Sequence, residues 1–190
     1  MKIALYLGSF NPFHNGHLEV IKTALRDFEM DKVVIVPTMQ NPWKEEKALD
    51  IDKRIDIIRD SILHYILESV DTISHISISQ IEKNLTPPYY SYATLHALKN
   101  KYCNDEIFVL CGEDTIKDIP NWMNGEQIIK DYDFLIVDRP KYSISSTQIR
   151  DMIKTMHKMD AYYSDNKLAK LVSPNVINLI KEYYGDTTKN

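Results

Sequence analysis

Two short apolar runs with a helix-length segment between them place the tightest constraint on this chain. Ile3-Ala4-Leu5-Tyr6-Leu7 opens it, and Val33-Val34-Ile35-Val36 follows. The second run is β-branched with no polar residue, which suits a strand buried on both faces. Between the runs, Leu18, Ile21, Leu25 and Phe28 recur at helical spacing. A helical crossover between neighbouring strands implies parallel pairing, so the fold class is α/β. Pro37 closes the second strand.

The rest of the chain extends this pattern. Ile51, Ile55, Ile58, Ile62 and Ile66 predict a helix, with Asp50 as its N-cap. Ile76-Ser77-Ile78-Ser79 alternates like a strand with one polar face. Pro87-Pro88 marks a loop, after which Ser91 is read as the cap of a helix carrying Ala93, Leu95, Ala97 and Leu98. Ile107-Phe108-Val109-Leu110-Cys111 and Phe134-Leu135-Ile136-Val137 predict two further strands with a short helix between them. A helix opens near Ser145. A final helix has Ser173 as its cap, Pro174 in the first turn and Gly185 at its end.

Composition limits what such a fold can do. The length of 190 residues suits one domain with a sizeable core. The net charge of −4 offers no broad basic field for duplex nucleic acid. The two cysteines, Cys103 and Cys111, have neither zinc-site nor disulfide-framework spacing and read as core thiols. No apolar run approaches the roughly 18 residues of a membrane span, and no basic-then-apolar leader precedes the first strand. The expectation is a soluble cytoplasmic protein.

The chemistry gathers at strand ends and helix starts. Residues 8–17, GSFNPFHNGH, join the first strand to the first helix and carry His14 and His17. The free N–H groups and positive dipole end of a helix make such a loop a natural anion site. Residues 41–44 contain Lys44, Gly112 and Asp114 follow the fourth strand, and Arg139 follows the fifth. Ser145, Ser146 and Thr147 with Arg150 form a second polar helix start, suited to phosphate oxygens. In a parallel sheet these ends share one edge, so His14, His17, Lys44, Arg139 and Arg150 would supply the positive charge that a polyphosphate needs. Neither G-x-x-x-x-G-K-S/T nor G-x-G-x-x-G occurs, and no nucleophile elbow is recognisable.

These motifs carry a resemblance. Residues 8–17 are similar to the G-x-F-D/N-P-x-H-x-G-H signature of the H-x-G-H nucleotidyltransferase superfamily. Ile144-Ser145-Ser146-Thr147-Gln148-Ile149-Arg150 resembles its second signature, I-S-S-T-x-I-R. The order between them resembles the nicotinate-nucleotide adenylyltransferases. Asn41-Pro42-Trp43-Lys44 stands where that family has P-P-H-K. Ser91-Tyr92-Ala93-Thr94-Leu95 is similar to S-Y-T-x-x-T-L. Gly112-x-Asp114 with Trp122 and Arg139-Pro140 follow in sequence. Departures are Asn11 for the usual bacterial Asp, Trp43 for His, Glu113 inside the G-x-D turn, and Lys141-Tyr142 for Gly-Tyr.

The resemblance implies a Rossmann-like open parallel sheet, helices on both faces, and a small C-terminal helical portion, as in the nucleotidyltransferase and adenine nucleotide alpha hydrolase-like folds. It implies one domain over 1–190, with a core in 1–140 and the phosphate-clamp and C-terminal helices in 141–185. It also implies adenylyl transfer from ATP to nicotinate mononucleotide, giving deamido-NAD and pyrophosphate in NAD biosynthesis. Mg²⁺ would be bridged through the phosphates without a direct protein ligand. By resemblance, His17, His14, Arg150 and Lys44 are catalytic. ATP would meet Gly8, Ser9, Phe10, Gly16, His17, Arg139, Ser145, Ser146, Thr147 and Arg150. The mononucleotide would meet Asn11, Lys44, Thr94, Gly112, Asp114 and Trp122. No nucleic acid or membrane partner is implied, and a homo-oligomer is compatible. Alternatives are a nicotinamide mononucleotide acceptor, transfer to phosphopantetheine or of a cytidylyl group, and a nucleotide sensor without turnover. A fragment of a class I aminoacyl-tRNA synthetase is disfavoured by length and charge.

Overall fold

A computed structural model describes residues 1–40, 47–68, 75–138, 144–156 and 161–185, with side chains of the last segment from residue 165. Asn41, Pro42, Trp43, Lys44, Arg139, Pro140, Lys141 and Tyr142 lie outside the described residues. The strands are β1 (Lys2–Gly8), β2 (Lys32–Pro37), β3 (Ile76–Ile78), β4 (Glu106–Gly112) and β5 (Asp133–Val137). The helices are α1 (Asn15–Arg26), α2 (Ile51–Glu68), α3 (Ser91–Lys101), α4 (Glu113–Asp118), α5 (Gly125–Asp131), α6 (Ser146–Met156), α7 (Ala161–Leu168) and α8 (Ile177–Gly185).

The five strands form one parallel sheet in the order β3-β2-β1-β4-β5. The chain steps outward from β1 to β3, then returns to the other side of β1 for β4 and β5. In a parallel sheet of this order, connections that follow the general right-handed rule place helices on both faces. The direction of winding reverses between β1 and β4. At such a switch point the strand C-termini open a crevice, the usual ligand position in open α/β sheets. Gly8 and Gly112 end these two strands.

Contacts divide the chain into two compact units. The first consists of the described residues of Met1–Ser9, Val20–Lys47 and Ile73–Arg139. It holds the sheet, and its core joins Ile3, Leu5, Val34, Val36 and Val109 to Leu95 and Leu98 of α3 and Ile128 of α5. Each such residue, fully buried, contributes about 1.5–3 kcal/mol of transfer free energy. The second unit consists of the described residues of Phe10–Glu19, Ala48–Thr72 and Pro140–Asn190. Ile51, Ile55, Ile58 and Ile62 of α2 are buried in it, as are Ile149 and Ile153 of α6 and Ile177 and Ile180 of α8. Helix α8 packs on both α2 and α6. The unit thus takes in α2 and the loop after β1, and not only the segment from 141 onward.

Several local expectations change. Asp50 does cap α2, since its Oδ1 accepts the Asp52 N–H at 2.9 Å. Ser91 is the first residue of α3, and Tyr90 occupies the cap without a side-chain bond. Ser173 is the N-cap with Pro174 in the first turn, but of a 3₁₀ turn, Pro174–Val176, that precedes α8, and its hydroxyl donates to Asn175 Oδ1 at 2.6 Å instead of capping a main-chain N–H. Helices α4 and α7 have no counterpart in the sequence reading, being short and weakly patterned. Cys111 is buried, but Cys103 is exposed, because it falls in the turn after α3 rather than on a strand. Among the described residues, no helix is long and apolar enough to cross a membrane.

Candidate active site

The loop after β1 is shaped by its aromatic residues. Phe10 has φ 44°, a left-handed conformation uncommon outside glycine, and its buried ring holds it there. That ring meets His17 edge-on, with centroids 5.0 Å apart at 82°. Phe13 stacks on His17 at 5.3 Å, and His14 stacks on it at 3.6 Å and 21°. His14 is buried, while His17 is half-buried. The carbonyl of His14 accepts the N–H groups of His17 at 2.9 Å and Leu18 at 3.2 Å, so α1 starts directly on the histidine pair.

One contact fixes a tautomer. The main-chain N–H of His14 donates to His17 Nδ1 at 3.2 Å. A main-chain N–H can only donate, so Nδ1 carries a lone pair and the proton of the neutral ring is on Nε2. His17 is thereby set as an N–H donor at Nε2. Gly16 matters through space rather than backbone conformation, since no described glycine has positive φ. A Cβ there would lie 3.1 Å from His14 Nδ1 and 3.2 Å from His14 Cε1, so a side chain would crowd the imidazole and shift it by a few tenths of an ångström.

The two signatures, far apart in sequence, meet. Ser146 Oγ donates to the carbonyl of Pro12 at 2.9 Å, and Arg150 Nη1 donates to the carbonyl of Asn11 at 2.8 Å. Hydrogen bonds from a charged donor contribute about 1.5–3 kcal/mol each. Arg150 Nη2 also reaches Thr147 Oγ1 at 3.3 Å. The start of α6 is closed by a capping box: Ser145 Oγ accepts the Gln148 N–H at 3.2 Å, and Gln148 Oε1 accepts the Ser145 N–H at 3.1 Å. Thr147 is exposed. The loop and the α6 start therefore form one assembly of hydroxyls, a guanidinium and two imidazoles, a donor set for anionic oxygens.

In the first unit, the C-terminal edge of the sheet carries Gly8 and Ser9 after β1, and Gly112 with Asp114 after β4. The Thr38 N–H donates to the Gly8 carbonyl at 2.9 Å. Gly112 is the N-cap of α4, and Asp114 stands exposed in its first turn. Trp122 is half-buried against the sheet core, with its N–H on the Ile119 carbonyl at 2.9 Å. Thr94 corrects its assignment. It is 0% exposed, and its hydroxyl donates to Glu82 Oε1 at 2.6 Å, so its side chain serves a buried carboxylate and opens on no site in this structure. It holds the buried Glu82, whose Oε2 accepts the Met39 N–H at 2.6 Å and anchors the chain beyond β2. Lys44 and Arg139, the two other expected cations, lie outside the described residues.

Three residues absent from the sequence reading belong to this framework. Glu82 has no pattern to betray it. Arg54 does: three residues after Ile51 and four before Ile58, it falls on the apolar stripe of α2. It is 1% exposed, with Nε on the Leu49 carbonyl at 2.7 Å. Tyr184 of α8 donates its hydroxyl to Asn11 Oδ1 at 2.7 Å, and burial raises its phenol above the usual 10.0, against the opposing pull of Arg54 and Arg150.

This combination of sheet and loops matches known proteins. The family model described as cytidylyltransferase-like matches residues 5–164. A "probable nicotinate-nucleotide adenylyltransferase" of Flavobacterium johnsoniae is 32% identical, covering 81% of this chain and 87% of its own. A protein of the same description from Cytophaga hutchinsonii is 30% identical, covering 98% of this chain and all of its own. The chain belongs to the cytidylyltransferase-like family, among its nicotinate-nucleotide adenylyltransferases. At the level of fold, it is similar to the Plasmodium falciparum nicotinic acid mononucleotide adenylyltransferase complexed with NaAD. The TM-score is 0.71 at 21% identity, covering 96% of this chain and 95% of the other. In this adenylyltransferase the loop with both histidines and the α6 start with Arg150 are hydrogen-bonded to each other.

Proposed function

We infer that this chain transfers the adenylyl group of ATP to nicotinate mononucleotide, forming deamido-NAD and pyrophosphate as a cytoplasmic step of NAD biosynthesis. The observation that carries this is the docking of the α6 start on the histidine loop through Ser146 and Arg150. Both reactants are anions, and this assembly supplies donors and positive charge to hold them together. The mononucleotide phosphate is already ionised at neutral pH, so attack on the α-phosphorus needs no strong base. It needs alignment and stabilisation of developing negative charge.

His17 acts as a neutral donor through Nε2, placing an N–H on the oxygens of the transferred phosphorus. His14 supports it by the stack and by the Nδ1 bond. Arg150 and the hydroxyls of Ser145, Ser146 and Thr147 take the remaining phosphate oxygens. Gly16 leaves room for backbone to approach the triphosphate, while for Gly8, Ser9, Asp114 and Trp122 the roles at the two nucleotides remain those that the resemblance implies. The donor set at the loop fits anionic oxygens rather than a hard cation. In this reading Mg²⁺ would come with the triphosphate, supplying charge neutralisation, and no protein ligand is assigned to it.

The test is pyrophosphate release with ATP and Mg²⁺ held constant while the acceptor is varied. Release with nicotinate mononucleotide well above that with nicotinamide mononucleotide or phosphopantetheine supports the assignment. Equal or greater release with nicotinamide mononucleotide would move the acceptor to the amide. Nucleotide binding without release from any acceptor would make the chain a sensor.

A further inference from the structure

The C-terminal helix reaches into the histidine loop at one point. Asn11 Oδ1 accepts two donors, the Tyr184 hydroxyl at 2.7 Å and the Leu49 N–H at 3.2 Å. The Leu49 N–H can only donate, so the atom it faces must be the amide oxygen, and the orientation of the Asn11 side chain is fixed. Tyr184 must then be the donor on the same oxygen. Burial keeps its phenol protonated, as that role requires. The main-chain carbonyl of the same Asn11 is held by Arg150 at 2.8 Å. Leu49 is itself held, its carbonyl taking the buried Arg54 Nε at 2.7 Å. Three elements, α2 with its leading turn, α6 and α8, thus converge on one residue of the loop, three positions before His14.

We propose that Tyr184 is a positioning residue for adenylyl transfer, fixing Asn11 and through it the course of the loop that carries His14 and His17. The proposal rests on the activity inferred above. A single neutral hydrogen bond adds only about 1 kcal/mol to stability, so the bond matters little for keeping the chain folded. Its consequence lies in alignment, because small displacements of groups at a reacting centre are costly in rate. Without the hydroxyl, Asn11 Oδ1 is left with the longer Leu49 bond, and the side chain gains freedom to turn. The residues it precedes are His14, whose main-chain N–H sets the His17 tautomer, and His17, whose ring is aimed by its stack. The effect belongs to the transition state, since the groups that bind both substrates are still present.

The experiment is a double-mutant cycle on the full chain with Tyr184→Phe, Asn11→Ala and both together. It is run where circular dichroism shows each variant fully folded. Tyr184→Phe should lower kcat about tenfold while KM for ATP and for nicotinate mononucleotide each stay within about twofold. The double variant should lose no more than Asn11→Ala alone, because both remove the same link. Wild-type kcat in Tyr184→Phe, or losses that multiply in the double variant, would overturn the proposal. A readout without turnover accompanies these rates: the side-chain amide signals of Asn11 in a ¹⁵N–¹H spectrum should shift in Tyr184→Phe. If the wild-type chain releases no pyrophosphate with any acceptor, the inferred activity falls. The Asn11 signals then decide the link on their own, a shift supporting it and unchanged signals overturning it.

Discussion

His17 receives a main-chain N–H at Nδ1, and that contact determines how it can act. A protonated imidazole would lose the bond, since both nitrogens would then be donors. His17 is therefore suited to give a hydrogen bond to a phosphate oxygen rather than to shuttle a proton. Removing a donor of this type costs about 2.7–4 kcal/mol of barrier, on the order of 10²–10³ in rate. His17→Ala should lower pyrophosphate release on this scale with an unchanged melting curve, and a variant turning over at the wild-type rate would remove His17 from the mechanism. At this scale the sequence was informative where polar residues gathered at a strand end or a helix start, as at His14, His17 and Arg150. It was silent where a role depended on a distant partner. Tyr184 lies 173 positions from Asn11, and nothing near either residue announces the bond. Thr94 was misassigned for the same reason, because a threonine early in a helix looks alike whether it faces ligand or a buried carboxylate.

The element that matters most is α6, whose start is held by its own capping box and by two bonds to the histidine loop. Arg150 makes a forked contact, with Nη1 on the Asn11 carbonyl and Nη2 on Thr147 Oγ1. Lysine carries the charge but not the fork. Arg150→Lys should therefore keep much of the long-range attraction for ATP and lose the docking, so that kcat falls more than tenfold while KM for ATP rises only a few-fold. Steady-state kinetics with ATP varied would separate the two effects, and a loss confined to KM would show that charge alone is used. Four strands were legible because a parallel sheet demands uninterrupted apolar runs, and β3 by its alternation. Helix α2 was legible because its apolar stripe is periodic, and α8 because Pro174 and Gly185 bracket it. Helices α4 and α7 were not, since one is six residues long and the other eight, too short to establish a period. The positions of Ser91 and Ser173 illustrate a related limit. Each is a favourable capping residue by composition, yet the first falls one position inside its helix and the second gives its hydroxyl to Asn175.

At the scale of the whole molecule, burial keeps Cys111, Tyr132 and Tyr184 neutral, and such groups set an alkaline limit on stability. Burial pushes the Cys111 thiol up to about 11 from 9.0. Burial first, then the Asp131 carboxylate and Tyr92, push the Tyr132 phenol up to about 12 from 10.0. Burial also raises Tyr184, so both compact units contain such a group. Below pH 9 these groups are protonated in the folded and unfolded chain alike, and their contribution to stability is fully present. As pH rises past 9.0 the unfolded chain releases the thiol proton while the folded chain retains it, so unfolding becomes progressively more favourable. The Cys111 contribution is lost once pH has risen through about 11, and Tyr132 extends the decline from 10.0 to about 12. Urea midpoints should therefore fall steadily as pH is raised from 8 through the alkaline range. Cys111→Ala starts from a lower midpoint because it removes a buried side chain, but its decline between 9.0 and about 11 should be shallower than that of the wild type. Parallel declines in the two proteins would mean that the thiol titrates alike in the folded and unfolded states, and that the alkaline limit arises at the tyrosines.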